Sequence, residues 1–212
     1  MAKLGKLQKF AELATLPSVL EKPQPQAGHW SKTFENNRPI ILELGCGYGE
    51  YTMALAQRYP TQNYIGVDIQ GERLWRAAKT ATTLCLTNVR WLRIEIEHLL
   101  DHFAPHEVSE IWLTFPDPFP RLGKAKKRLT SPRFLTMYQI ILQSHGRLHL
   151  KTDAADLITY SREVVSASGA TIDRDIGNLP SSDNRFDLDI TTRFEQKHRT
   201  QGQPIHYLSW HW

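Results

Sequence analysis

Three glycines at every second position follow a short apolar run that contains one acid. The run covers residues 40–44 and its acid is Glu43, and the glycines are Gly45, Gly47 and Gly49. Glycine adopts positive φ at no steric cost and lets a ligand approach the backbone closely. A helical pattern of apolar residues begins directly after the turn. Because a buried strand, a glycine-rich turn and a helix N-terminus together form nucleotide sites, this stretch predicts a site for a nucleotide-like ligand.

The spacing of the glycines narrows the chemistry of that ligand. A turn that binds a dinucleotide has its third glycine three residues after the second, whereas here Gly49 follows Gly47 by two and Glu50 comes next. An acid at the helix start repels a pyrophosphate and tolerates the sulfonium and ammonium groups of S-adenosylmethionine. Asp68 directly follows the next apolar strand, residues 64–67, and is placed to accept hydrogen bonds from both ribose hydroxyls. A glycine turn used only for packing is the alternative, and Asp68 argues against it.

A second stretch, residues 115–120, reads Phe-Pro-Asp-Pro-Phe-Pro and follows the apolar run 108–114. Its three prolines fix three φ angles and remove three amide donors, so the loop is stiff. Ligands of doubly wound sheets bind at the carboxyl ends of the strands, where this loop begins. We therefore predict that Asp117 is a positioned reacting group, the alternative being a proline-rich turn with a solvent-facing acid.

The segment that begins inside this loop is strongly basic. Residues 118–152 contain no Asp or Glu and carry a local charge of +8, in a chain whose net charge is +4. The eight cations are Arg121, Lys124, Lys126, Lys127, Arg128, Arg133, Arg147 and Lys151. A basic cluster on an otherwise acidic chain predicts contact with a polyanion such as RNA. A solvated run of charges without a partner is the alternative.

Length and composition set the class of protein. A chain of 212 residues with 41% hydrophobic and 23% charged residues fits one globular α/β domain, with or without a short appendage. Its two cysteines, Cys46 and Cys85, share no metal-binding or redox spacing, which favours the reducing cytoplasm. The sequence has no apolar run of about 18 residues and no signal-peptide core, so no membrane association is expected.

Three histidines four residues apart, His98, His102 and His106, would share a helix face as metal ligands do. Pro105 interrupts the pattern, and no Cys or carboxylate completes a tetrahedral set. We therefore expect a wet helix face and no metal site. Cys46 has no His or other base near it in sequence, so a thiol nucleophile is not expected either.

Apolar runs alternate with helical patterns along most of the chain, which predicts an α/β fold with a parallel, doubly wound sheet. A short basic helix is expected within residues 1–20 and a flexible connection over 21–37. The predicted strands cover 40–44, 63–68, 88–94, 108–114, 147–152 and 204–210. The predicted helices cover 48–59, 70–86, 132–142 and 156–168, with a short one opening at 191.

The order and spacing of these motifs resemble the bacterial tRNA (guanine-N7)-methyltransferases, whose signature Phe-Pro-Asp-Pro-Trp-Pro differs from residues 115–120 only at Phe119. The resemblance runs from Leu42 nearly to the end of the chain. Three later stretches also match the family, namely Lys151-Thr152-Asp153, Thr192-x-x-Glu195 and Gly202-Gln203-Pro204-Ile205.

The resemblance implies a Rossmann-like class I methyltransferase fold, with a mostly parallel seven-stranded sheet and helices on both faces. It also divides the chain into an N-terminal basic helix with its flexible connection, residues 1–37, and a methyltransferase domain, residues 38–212. The implied cofactor is S-adenosylmethionine and the implied partner is tRNA, with no obligate protein partner.

The resemblance further implies a role for each matched residue. Asp117 falls on the catalytic acid of the family. Contacts to the cofactor are implied for Glu43, Asp68, Glu95 and Asp117, together with Gly45, Gly47 and Gly49 of the turn. Contacts to the substrate are implied for Arg121, Asp153, Thr192, Arg193, Phe194 and Glu195. Phosphate contacts are expected from the basic segment, at Lys124, Lys126, Lys127 and Arg128.

The implied reaction transfers a methyl group to N7 of a guanine in tRNA, at position 46 of the variable loop. Guanine N7 has a free lone pair at neutral pH, so the reaction needs alignment more than a general base. A carboxylate such as Asp117 can stabilise the cationic product, or accept hydrogen bonds from guanine N1–H and the exocyclic amine.

Three other functions remain open at this point. Asp117-Pro118 superficially matches the motif of adenine-N6 methyltransferases, although that motif has a second adjacent proline. A small-molecule methyltransferase would give no reason for the basic segment. A catalytically silent RNA-binding protein would make Glu43, Asp68 and Asp117 incidental.

Overall fold

The computed structural model describes residues 5–21, 23–181 and 183–212, apart from the side chains of Lys6 and Phe186. The chain divides into two compact units, one that ends at Phe103 and one from Ala104 to Trp212. The described residues of each unit form four strands with helices between them.

The four strands of the first unit are parallel and lie in the order β1-β4-β3-β2. Their bounds are Val19–Glu21 for β1, Ile40–Leu44 for β2, Asn63–Val67 for β3 and Val89–Arg93 for β4. Every residue of β2 and β3 is buried, which explains why both strands are mainly apolar instead of alternating between apolar and polar residues. The predicted strands over 40–44, 63–68 and 88–94 are confirmed.

Five helices accompany this sheet within the described residues. They are α1 (Lys6–Leu13), α2 (Trp30–Phe34), α3 (Glu50–Arg58), α4 (Gly71–Thr83) and α5 (Leu99–His102). The carboxylate of Glu12 in α1 accepts hydrogen bonds from Trp75 Nε1 at 2.9 Å and Lys79 Nζ at 2.8 Å, both in α4. The N-terminal helix therefore packs on α4 through specific side chains.

The structure adds two elements that were not predicted within residues 1–37, of which residues 1–4 and Lys22 lie outside the described chain. The N-terminal helix ends at Leu13, and β1 follows because its backbone pairs with β4. Within the predicted flexible connection, α2 buries Trp30, whose ring stacks on Phe103 at 5.3 Å and whose Nε1 donates to the His102 carbonyl at 2.8 Å. The division of the chain at residue 37 stays a prediction.

The strands of the second unit form a mixed arrangement in the order β5-β6-β8-β7. They are β5 (Val108–Thr114), β6 (Leu142–Thr152), β7 (Thr171–Ile176) and β8 (His206–His211). β5 and β6 are parallel, whereas β8 runs antiparallel to both of its neighbours. β7 was not predicted, because its polar sequence alternates between exposed and half-buried positions at the end of this strand order. With β1 and β7, the described residues contain eight strands where seven were expected.

The helices of the second unit are α6 (Pro132–Ile141), α7 (Ala155–Ala167) and α8 (Arg193–Thr200). They confirm the helices predicted over 132–142 and 156–168 and the short helix predicted after 191. Across the described ranges of the chain, no helix combines the length and the apolar character needed to cross a membrane.

Candidate active site

The glycine turn follows β2 directly and begins α3. Gly45, Gly47 and Gly49 have φ angles of 75°, 56° and 66°, as the glycine spacing predicted. The amides of Gly45 and Cys46 both donate to the carbonyl of Val67, at 2.8 and 3.1 Å, which ties the turn to the end of β3. Three left-handed residues within five positions fold the backbone into a tight curve that leaves no side chain at the glycine positions.

Trp91 of β4 lies against this turn, and no motif in the sequence indicates a role for it. An ideal Cβ on Gly49 would lie 2.2 Å from Trp91 Cη2, and one on Gly66 would lie 2.5 Å from Trp91 Cζ3. The indole is fully buried, and its Nε1 has no hydrogen-bond partner among the residues described. Two glycines therefore accommodate one large ring, and that ring forms the inner side of the turn.

Asp68 connects the turn to the segment that follows β3. Its Oδ2 accepts a hydrogen bond from the Gly47 amide at 2.8 Å, and its Oδ1 accepts one from the Gln70 amide at 2.8 Å. Each carboxylate oxygen can accept two hydrogen bonds, so these contacts leave acceptor capacity on both oxygens. Asp68 therefore both shapes the turn and retains the chemistry expected for holding two hydroxyl groups.

Glu43 is buried and binds the first turn of α3. Its Oε2 accepts hydrogen bonds from both the amide, at 2.9 Å, and the hydroxyl of Thr52. A carboxylate at a helix N-terminus is favourable because the amides there carry partial positive charge. Burial raises the pKa of the Cys46 thiol, and the charges of Glu43 and Asp68 raise it further, which agrees with the expectation that Cys46 is not a nucleophile.

Glu95 is exposed and precedes a single 3-10 turn, Ile96–His98. Its implied contact with the cofactor stays a prediction. His98 contacts Asp101 at 3.1 Å, and within the described part of the chain no three His, Cys, Asp or Glu side chains cluster as metal ligands would.

Asp117 lies on an anchored loop in the second unit. The Phe115 amide donates to the Lys151 carbonyl at 2.8 Å, and Phe115 and Phe119 have φ angles of 51° and 39°. The Asp117 side chain is exposed, and its Oδ1 accepts a hydrogen bond from the Phe119 amide at 3.0 Å. The loop thus presents one fixed carboxylate to solvent.

Arg128 corrects the predicted set of phosphate contacts. It is only 4% exposed, and its guanidinium donates to the carbonyls of Pro118 at 3.1 Å and Phe119 at 3.1 and 3.3 Å. The same group lies 4.3 Å from the centre of the Tyr160 ring. Because its donors face the interior, Arg128 holds the Asp117 loop and is not available to RNA.

Arg133, in α6, is exposed, with its guanidinium 4.4 Å from the centre of the Phe134 ring. Four more cations of the basic segment face solvent, namely Arg121, Lys124, Lys126 and Lys127. The last three lie in a 3-10 helix, Leu122–Lys127. Within the described residues, none of the four forms an ion pair. By contrast, Arg147 contacts Asp173 at 2.9 Å, and Lys151 is fully buried. The exposed surface of the basic segment therefore carries fewer positive charges than the local charge of +8 indicated.

In the implied substrate segment, residues 192–195, the first and last side chains bond within the protein and the middle two are exposed. Thr192 is the N-cap of α8 and accepts a hydrogen bond from the Glu195 amide at 3.2 Å, while the Glu195 carboxylate is buried 2.7 Å from Lys151 Nζ. Arg193 and Phe194 are exposed. The structure therefore does not present Glu195 to a substrate, because its carboxylate is surrounded by protein.

The aromatic ring of Phe194 links this segment to neighbouring motifs of the second unit. It packs 5.1 Å from the Phe115 ring and 4.3 Å from the His198 ring, and His198 Nδ1 lies 3.2 Å from Asp153. Sequence-predicted residues thus gather in two groups. Glu43, Asp68 and the glycines form one in the first unit, and the Asp117 loop, Asp153 and residues 192–195 form the other in the second.

Comparisons with known proteins identify the family. A family model described as a putative methyltransferase matches residues 37–208. A tRNA (guanine-N(7)-)-methyltransferase of Porphyromonas gingivalis is 43% identical over 211 residues, which cover 96% of this chain and 85% of that protein. A protein of the same name from Bacteroides fragilis is 42% identical over 214 residues, which cover 96% of this chain and 84% of the relative.

Solved structures with much lower identity share the fold. The 16S rRNA methyltransferase KamB superposes with a TM-score of 0.63 at 14% identity, covering 88% of this chain and 97% of that one. A 30S ribosomal A1408 methyltransferase from an uncultured bacterium gives 0.62 at 14% identity, covering 85% and 91%. The predicted α/β class I methyltransferase fold is therefore confirmed, and the chain belongs to the tRNA (guanine-N(7)-)-methyltransferase family.

Proposed function

We propose that this chain transfers a methyl group from S-adenosylmethionine to N7 of a guanine in tRNA, at position 46 of the variable loop. The observation that carries the proposal is a fixed, exposed carboxylate, Asp117, followed by four exposed cations without an ion pair among the described residues. Relatives that are 42–43% identical over 96% of the chain carry the name of this activity. A cytoplasmic location agrees with the two free cysteines.

The glycine turn has the features that S-adenosylmethionine requires. When bound, this cofactor supplies an electrophilic methyl group on a sulfonium. The turn offers a surface without side chains at three positions, and Asp68 retains acceptor capacity for ribose hydroxyls. Glu43 fixes the start of α3 and adds negative charge beside the turn, which suits a cationic ligand.

Asp117 supplies a carboxylate whose direction the loop fixes. Its Oδ1 is bonded to the Phe119 amide, and the exposed carboxylate can accept hydrogen bonds from guanine N1–H and the exocyclic amine. Because N7 carries a free lone pair, its methylation needs alignment with the methyl donor and no prior proton transfer. Alignment of this kind accounts for about 7–11 kcal/mol of a reaction barrier.

The exposed cations provide affinity for the tRNA backbone. Arg121, Lys124, Lys126 and Lys127 can each hold a phosphate, which sets the position of the RNA without reading its sequence. Phe194 offers an exposed ring on which an unstacked base could rest, as RNA-binding proteins use aromatic side chains.

The direct test incubates the protein with unmodified tRNA and methyl-labelled S-adenosylmethionine and then analyses the nucleosides. We expect 7-methylguanosine in the wild-type reaction and little of it with Asp117→Asn. Label found on adenine, or only on a small metabolite, would contradict the proposal. A tRNA in which the guanine at position 46 is replaced tests the position separately.

The salt dependence of tRNA affinity tests the cations. Each phosphate contact contributes a slope of roughly −0.7 to −0.9 to a plot of log affinity against log salt. Replacing Lys126 and Lys127 by Ala should reduce the slope by about one to two units without changing the affinity for S-adenosylmethionine. Lys32→Ala, at an exposed lysine of α2, is the control and should leave the slope unchanged. Equal slopes in all three proteins would show that the cluster does not contact RNA.

A further inference from the structure

We propose that Lys151 is the positioning residue that joins the Asp117 loop to residues 188–195, and that Glu195 acts through Lys151 instead of touching tRNA. This inference rests on the proposed function, because it assigns the tRNA contacts of that segment to its exposed residues. All of the side chains involved belong to the second unit.

The ammonium group of Lys151 is fully occupied inside the protein. Its Nζ donates to the Ile190 carbonyl at 2.9 Å and to the Leu188 carbonyl at 3.3 Å, and it lies 2.7 Å from Glu195 Oε2. Two carbonyls accept hydrogen bonds from the ammonium, and the Glu195 carboxylate lies at ion-pair distance from it. The side chain is 0% exposed, and its contacts hold the backbone of 188–190 and the first turn of α8.

The backbone of Lys151 holds the other motif. Its carbonyl accepts the Phe115 amide at 2.8 Å, at the first residue of the loop that carries Asp117. The Phe115 ring in turn packs 5.1 Å from the ring of Phe194. One residue of β6 thus contacts the loop through its main chain and the substrate segment through its side chain.

Glu195 completes this arrangement from within the protein. Its Oε1 accepts from Arg199 Nε at 2.9 Å and Arg199 Nη2 at 2.7 Å, while Arg199 Nη1 donates to the Leu179 carbonyl at 2.8 Å. One carboxylate oxygen thus faces Arg199 and the other faces Lys151. Among residues 192–195 the exposed side chains are those of Arg193 and Phe194, which are the ones able to meet RNA.

The electrostatics agree with a matched internal pair. Burial lowers the pKa of Lys151, and the Glu195 carboxylate opposes that shift. Removing Glu195 leaves the buried Lys151 ammonium without a carboxylate, and removing Lys151 leaves Glu195 with Arg199 as its remaining cation. Removing both takes away the two fully buried charges and is less damaging. A paired substitution therefore separates a positioning role from a contact with the substrate.

The test compares Lys151→Met, Glu195→Gln and the double variant in tRNA methylation, with thermal denaturation and calorimetric binding of S-adenosylmethionine alongside. We expect each single change to lower kcat/KM for tRNA at least tenfold. The double variant should recover at least a third of the wild-type value, because both buried charges are gone and the new amide can donate to the freed carbonyls. Arg147→Met, which breaks a half-exposed ion pair on the same strand, is the matched control and should change kcat/KM less than twofold.

Several results would overturn the inference. A double variant that folds like wild type but stays as impaired as Glu195→Gln would show that Glu195 contacts the substrate. A folded Lys151→Met with wild-type kcat/KM would remove Lys151 from any positioning role. If the single variants do not fold, Lys151→Arg keeps the charge but replaces three tetrahedral donors by a planar fork. It should lower kcat/KM at least threefold, and an unchanged value would refute the inference.

Limited trypsin digestion separates this inference from the proposed function, since it needs no tRNA. Cleavage after Arg185, Arg193 and Lys197 should be faster in Lys151→Met than in wild type, and close to wild type in the double variant. If the wild-type protein does not methylate tRNA but the three proteins show this order of cleavage rates, Lys151 still holds the segment and only the proposed function is refuted. Identical digestion of all variants would show that Lys151 does not hold the segment.

Discussion

Replacing Gly66 by alanine would place a methyl group against the ring of Trp91. The new Cβ would lie 2.5 Å from Trp91 Cζ3, 2.7 Å from Cε3 and 2.9 Å from Cys46 Sγ, all well inside contact distance. Gly66 lies in β3 and has no positive φ, so the alanine backbone itself is unstrained. The cost is therefore steric and should be about 1–3 kcal/mol of unfolding free energy, as for other overpacked cores. Reduced freedom of the unfolded chain offsets about 0.4–1 kcal/mol of it.

The second part of the experiment replaces the indole of Trp91 by a smaller ring. Trp91→Phe withdraws the far edge of the indole, so adding Gly66→Ala to that variant should cost at most half as much as in wild type. Part of the cost remains because Cys46 is unchanged. Urea unfolding of the four proteins measures the coupling, which should be about 0.5–2 kcal/mol. Equal costs of Gly66→Ala in both backgrounds would refute the idea that Trp91 fills the space at Gly66.

Two other glycines of the site provide matched controls. Gly45 has a φ of 75° and no atom within 4 Å of its ideal Cβ, so Gly45→Ala should cost about 1–2 kcal/mol for the left-handed backbone alone, whether Trp91 is present or not. Gly49 combines a φ of 66° with a 2.2 Å approach to Trp91, so Trp91→Phe should relieve only the steric part. The three positions thus separate backbone strain from crowding.

Three further predictions concern acids. Asp68→Ala should weaken S-adenosylmethionine binding by about 1–3 kcal/mol in calorimetry, because ribose hydroxyls lose their acceptor, and unchanged affinity would exclude Asp68 from the site. Asp117→Asn should lower single-turnover methylation far more than cofactor affinity or stability, and a wild-type rate would deny it a catalytic role. Hydrogen bonds from Arg185 and Arg174 lower the pKa of Asp183, so its stabilisation is present at neutral pH and is lost as the pH falls below the ordinary value of about 4. Unfolding free energy measured between pH 5 and 2 should therefore fall more steeply in wild type than in Asp183→Asn, and parallel curves would contradict this.

The elements that the sequence predicted well are those with strong local signals. Mainly apolar runs marked β2 and β3, and the alternate glycines of the turn predicted left-handed backbone that the structure contains. By contrast, β1 has three residues and is defined by pairing with β4, a partner about 70 positions away. No local pattern carries that information.

Side-chain burial within the candidate site was the least predictable property. Arg128 and Lys127 are neighbours in one basic run, yet Arg128 is buried on backbone carbonyls and Lys127 is exposed. Lys151 and Glu195 are 44 positions apart, and only the fold brings their charges to 2.7 Å. Composition counts such charges but does not show which of them are neutralised internally.

The left-handed backbone at Phe115 and Phe119 has a consequence for transplanting this loop. Each such conformation at a bulky residue costs about 1–3 kcal/mol, so a free peptide of residues 115–120 would adopt a different shape despite its prolines. The Lys151 carbonyl and the Arg128 guanidinium hold the loop from outside its own sequence. A designer who moves these six residues into another scaffold must therefore move both anchors with them, or the carboxylate will lose its direction.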